Sequence, residues 1–82
     1  MKTFQIESYT VTTKNDKYTH AAVVLVDGVI GNNFHKGLPM PNFAGSRELA
    51  IKAADAKTRQ VEKFFADKGE KHLIEVRIYE AI

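Results

Sequence analysis

No cysteine occurs in this chain, which rules out disulfides and thiolate metal sites and argues against the disulfide-rich scaffold of many small secreted proteins. Long apolar runs are missing too. The longest, AAVVLV, is far too short to cross a bilayer, and the start, MKTFQIESYT, lacks the apolar stretch of a signal peptide, so no membrane contact and a cytoplasmic setting are expected. Neither sign of charge dominates: twelve basic and ten acidic residues leave a net +2, too balanced to imply nucleic acid by itself. There is no internal repeat and no low-complexity segment, and 82 residues make one domain, 1–82.

Chemistry-bearing patterns are equally sparse. His20, His35 and His72 are far apart in sequence and form no pair at metal-ligand spacing with an acid or one another, so they read as three separate imidazoles. Ser46 lies in AGSRE, without the flanking glycines of a nucleophile elbow, and reads as a helix cap. GNNFHKG has glycines and a lysine but no GK[ST] ending. No two carboxylates form an evident acid and base pair. The expectation is therefore a protein that is not an enzyme and needs no cofactor or metal.

What the sequence does contain is one strong helix, Ser46 to Lys68, SRELAIKAADAKTRQVEKFFADK. Ser46 caps its start, Glu48 suits the positive end of the macrodipole, and Gly69 ends it by taking a left-handed conformation. Its interior has neither glycine nor proline. At about 100° per residue, Leu49, Ala50, Ala53, Ala54, Val61, Phe64 and Phe65 share one side, widened by Ile51 and Thr58. The arc around Ala54, Val61 and Phe64 is expected to hold a sheet. Its margin at Ile51, Thr58 and Phe65 asks for a second cover.

Strands flank this helix. Thr3 to Thr13 reads as a first strand with a bulge or twist near Glu7 and Ser8, Tyr18 to Val26 as a central second, and Val29 to about His35 as a third after an Asp27-Gly28 type I′ turn. Gly31 to Gly45 is a proline- and glycine-bearing loop, and His72 to Tyr79 a final strand whose Ile74, Val76 and Ile78 meet the helix while Glu75 and Arg77 see solvent. The fold class is α+β, a two-layer β-β-β-α-β domain with one long helix on a mainly antiparallel sheet.

Two surfaces stand out as candidate sites. The first is apolar: Phe34, Leu38, Met40 and Phe43 in the loop, with Ile51, Lys57 and Phe65 on the helix. Leu-Pro-Met-Pro is stiff and loses little entropy on binding, while Lys57 projects from within the apolar arc, either snorkelling to water or marking a partner-facing seam. The loop either stays open for a partner or lays Phe34 and Phe43 over the helix edge; the arc could instead meet its copy in a homodimer. The second surface is basic, with Arg47, Lys52, Arg59 and Lys63 on the helix and Lys14, Lys17 and Lys36 from the loops. Glu48, Asp55 and Glu62 flank the helical line and make it a mixed face.

VVLVDGVIGN followed by SRELAIKAADA, within Tyr18 to Lys68, resembles the later part of a double-stranded RNA-binding domain: a strand pair with a short turn, then a helix opening on a hydroxyl residue, a base and alanines. That resemblance implies shape-based binding to duplex RNA, with Arg47 at a phosphate-holding position. The charge balance and the stiff apolar loop point instead to a protein partner, and this is the leading expectation: a small regulatory protein that occupies a partner's surface, in the way of phage-encoded inhibitors such as anti-CRISPR proteins. Nucleic-acid binding is the alternative, and a homodimeric structural domain the second.

Overall fold

The computed structural model describes residues 1–82. In chain order it runs β1 (Lys2–Ile6), β2 (Tyr9–Thr13), β3 (His20–Val26), β4 (Val29–Ile30), β5 (Phe34–His35), β6 (Leu38–Pro39), β7 (Asn42–Ala44), α1 (Arg47–Asp67) and β8 (Ile74–Glu80). β3 takes the centre because its AAVVLV run is apolar on both faces, and Ala21 through Leu25 are all buried. β8 pairs antiparallel along its whole length, from His20 opposite Glu80 to Val26 opposite Ile74. On the other edge β4 and β7 lie end to end, with Ile30 opposite Leu25 and Asn42 opposite Ala22.

Residues 31–41 are thus an excursion from what would otherwise be one strand. Asn32 fills the break. Its Oδ1 accepts from the Val24 N–H at 2.8 Å, its amide donates to the Met40 carbonyl at 3.3 Å, and Gly31 N–H donates to the Val24 carbonyl at 2.7 Å. A buried strand cannot leave such groups unpaired, so a side chain only 6% exposed does the work of missing backbone. Gly31 is needed for the same approach, since a Cβ there would come within 2.8 Å of Val26 Cγ2.

The two faces of the central sheet are covered differently. Ala22 and Ala44 face α1, where Ala50 and Ala54 are its buried residues and Ile78 packs beside them. Ala21 and Val23 face the β1–β2 hairpin, which contributes Phe4, Ile6 and Val11, with Tyr18, Phe43 and Tyr79 closing the cluster. The α+β class, with one helix on antiparallel sheet, stands as the sequence implies.

The strand boundaries are where the structure departs. Thr3 to Thr13 is not one bulged strand but a hairpin, Ile6 opposite Tyr9, turning at Glu7 and Ser8 with Glu7 at φ 53°. That hairpin lies across the face expected to see solvent, where Arg77 and Tyr79 both donate to Glu7 Oε1, the latter at 2.7 Å. The third strand ends at Ile30 because Asn32 enters the sheet sideways. The stretch 31–45 is a loop only in part, holding β7 and the small β5–β6 hairpin, whose Lys36-Gly37 turn has both residues at positive φ. The Asp27-Gly28 turn is type I′ as expected, at φ 52° and 82°.

Candidate protein-binding groove

Small residues at one end of α1 and large ones at the other set the geometry of the site. Ala50 and Ala54 let the helix backbone approach β3 and β7 closely, and further along Val61, Phe64 and Phe65 need more room. The sheet does not widen to meet them. On that side its margin is β4, a strand of two residues, so nothing extends beneath the outer aromatic ring. The result is an open groove of about 290 Å³ between helix and sheet corner. Val26, Val61, Phe64 and Phe65 form its apolar wall, and Asn33, Lys57 and Gln60 its polar rim.

The expectation that Phe64 helps hold the sheet is overturned, for it is 54% exposed. Phe65 takes the inner place instead. It stands edge-on to Phe64 at 5.3 Å and lies 4.1 Å from the His72 ring, centroid to centroid. Lys68 Nζ sits 4.2 Å from the centre of the Phe64 ring, a cation–π contact that holds the ring at the surface. With Lys57 on the rim, the groove offers an apolar floor between two cations.

A second cavity, about 300 Å³, lies beyond Phe65 and is lined by Glu62, Glu70, Lys71, His72 and Ile74 besides that ring. His72 is not the isolated imidazole the sequence suggests. Its Nδ1 is 2.6 Å from Asp27 Oδ2, while its shielded Nε2 makes no hydrogen bond, with Glu70 Oε1 3.6 Å away. The hydrogen bond to Asp27 raises the imidazole above its ordinary range, against the opposing pull of desolvation. That same bond, with a second from Leu73 N–H, lowers the Asp27 carboxyl. This pair was hidden because 45 residues separate its members.

The residues predicted for the apolar surface divide into four groups. Lys57 and Phe65 line the groove. Phe34, Leu38 and Met40 belong to the β5–β6 hairpin and its exit, which folds against β2 through Phe34 edge-on to Tyr9 at 5.6 Å. Phe43 is structural, stacked on Tyr18 at 5.6 Å and tilted against Phe4 at 5.3 Å. The β5–β6 hairpin therefore packs on β2, away from the helix, and the idea that Phe34 and Phe43 close over the helix edge is corrected: β7 alternation turns Phe43 to the hairpin face with Ala21, and only Asn33 of this stretch reaches the groove. Ile51 is exposed on the helix flank nearer β8.

The predicted basic residues do not gather on one surface. The Lys17 carbonyl lies 3.4 Å from the position a Cβ would take on Gly45, which puts the Lys14 and Lys17 turn at the Arg47 end of α1. Lys52, Arg59 and Lys63 are exposed along the helix, and Lys36 is at the tip of the β5–β6 hairpin on the opposite side of the sheet. Five lining residues, Val26, Asn33, Gln60, Val61 and Phe64, are ones that sequence reasoning missed as a site, three of them on the helix. The signal was present, since 57, 60, 61 and 64 follow the i, i+3, i+4, i+7 spacing of one helical stripe. Comparison with known protein families, with curated proteins and with solved structures finds no match for this chain.

Proposed function

We propose that the protein is a non-enzymatic binding module that acts by occupying a surface of a protein partner, through the groove beside Phe64. What carries this reading is the half-exposed Phe64 over an apolar floor that the fold leaves uncovered. Aromatic side chains at concave, partly desolvated positions are the usual anchors of protein interfaces. Lys57 at the rim and Lys68 against the Phe64 ring favour a partner that inserts an apolar side chain flanked by carboxylates. Such a module regulates or inhibits by steric occupation and needs no reaction of its own.

Pull-down from a nuclease-treated lysate, read by mass spectrometry, tests this. One stoichiometric protein partner is expected, with binding weakened at least about tenfold by Phe64→Asp and by Lys57→Glu. Neither variant touches the core, so thermal unfolding should be nearly unchanged. Phe4→Ala is the contrast, costing about 3–5 kcal/mol of stability because its ring is fully buried. Recovery of nucleic acid alone, with a salt-dependent shift of duplex RNA, transfers the assignment to the basic residues; retained protein binding in both groove variants rejects the groove.

A further inference from the structure

β8 is bonded to β3 on one side and to no strand on the other. Ladder bonds in an antiparallel pair alternate along the chain. Asp27 N–H donates to the Leu73 carbonyl and Ala81 N–H to the Thr19 carbonyl, so the odd-numbered residues between them direct their backbone groups at β3. Ile74, Val76 and Ile78 therefore direct N–H and C=O outward. Beyond Glu80 the edge closes, where Ile82 N–H donates to the Thr3 carbonyl at 2.8 Å. A seven-residue edge strand is normally blunted by proline, a bulge, a short length or charged side chains; IEVRIYE has no proline, lysine or bulge, and its charges, Glu75, Arg77 and Glu80, are of both signs, so they select a register and do not block pairing outright.

We propose that this edge pairs antiparallel with β8 of a second copy, about a two-fold axis through Val76. Such an axis, perpendicular to the sheet, keeps each face on its own side, so it must pass through a residue. The choice of residue is decided by charge. Centred on Arg77 the pairing sets arginine against arginine, and centred on Glu75 it sets glutamate against glutamate; both repel. Centred on Val76 it sets Glu75 against Arg77 of the copy, twice by symmetry, with Ile74 against Ile78 and Val76 against itself. The outward groups then form about six backbone hydrogen bonds, two for each bonded pair.

Both faces of the seam fit. Glu75 makes no ion pair within the chain, and Arg77, although engaged by Glu7, keeps unused donors for a second carboxylate. On the helix face Val76 is 37% exposed. Ile51 stands three helical turns before Glu62, which lines the cavity beside Ile74, so it projects towards the same margin and pairing covers both. This edge lies across the helix from the groove, and the dimer stands or falls independently of it.

Sedimentation velocity over about 1–200 μM tests the pairing. A species of twice 9.2 kDa is expected. Val76→Pro removes an outward N–H and no internal bond, so it should give a monomer with an unchanged circular dichroism spectrum. Glu75→Arg, at an exposed position, should raise the dissociation constant at least about tenfold, and mixing it with Arg77→Glu should restore the dimer because every seam pair is again of opposite charge. A monomer throughout the range overturns the proposal, as does a larger oligomer. So does a dimer that Glu75→Arg leaves equally tight, whether or not Val76→Pro folds.

Discussion

Glu7 turns the chain between β1 and β2 at a positive φ that residues other than Gly, Asn and Asp seldom adopt, and tertiary bonds hold it there. Hydrogen bonds from Tyr79 and then Arg77 keep its carboxyl below the usual carboxylate range. The Glu-Ser dipeptide carries no local turn signal, which is why the segment reads as one strand; the residues that specify the turn lie in the last strand. Asp27-Gly28 is legible for the opposite reason, because its chemistry is local. Only the second role of Asp27 is hidden. The side chain also binds His72, whose folded pKa is raised, so this contribution to stability is complete below the unfolded value of 6.5 and is lost as pH rises through the higher folded value. At the acid end Asp27, whose pKa is lowered, contributes above its unfolded 3.8 and loses that contribution as pH falls through the folded value. Asp27→Asn keeps the turn and removes the charge. Melting temperatures of the two proteins should differ most near pH 5–6, with the difference narrowing as pH rises through the raised His72 value; a constant difference would deny the pair its role.

At the scale of elements, α1 is legible almost to the residue because its signals are covalently adjacent. Ser46 Oγ accepts from the Leu49 N–H at 3.2 Å, and the C-terminus closes with Gly69 N–H donating to the Ala66 carbonyl and Glu70 N–H to Phe65, both at 2.9 Å. This Schellman arrangement needs a left-handed residue, and Gly69 has φ 71°. Gly69→Ala should cost about 1–2 kcal/mol in chemical denaturation without altering the groove; a change near zero would mean the helix end frays without consequence. The excursion 31–41 is less legible. Its strands are two residues long, too short for alternation to show, and Asn32 resembles an ordinary loop asparagine until the open ladder position beside Val24 is seen. The site shows the same difficulty in reverse: helical spacing points to Lys57 and Phe65, whereas the exposure of Phe64 depends on how soon β4 stops.

As a whole the molecule is a slab, 41 × 27 × 16 Å, with one central strand buried on both faces. A body this thin cannot hide every apolar side chain. Among those left exposed are Phe64 at the β4 corner and Val76 on the β8 edge. The central strand is also unequally held. Val23 bonds within the ladder to β8, opposite Arg77, but its neighbour Val24 depends on a side chain belonging to the excursion. These adjacent amides therefore time different events. Under native-state hydrogen exchange Val23 should release its proton only with global unfolding, and Val24 whenever residues 31–41 lift away, at a lower opening free energy. Equal rates would mean that the excursion detaches only when the entire sheet does. The interruption in one strand thus divides a single small domain into a slow and a fast compartment, with the boundary falling between two consecutive valines.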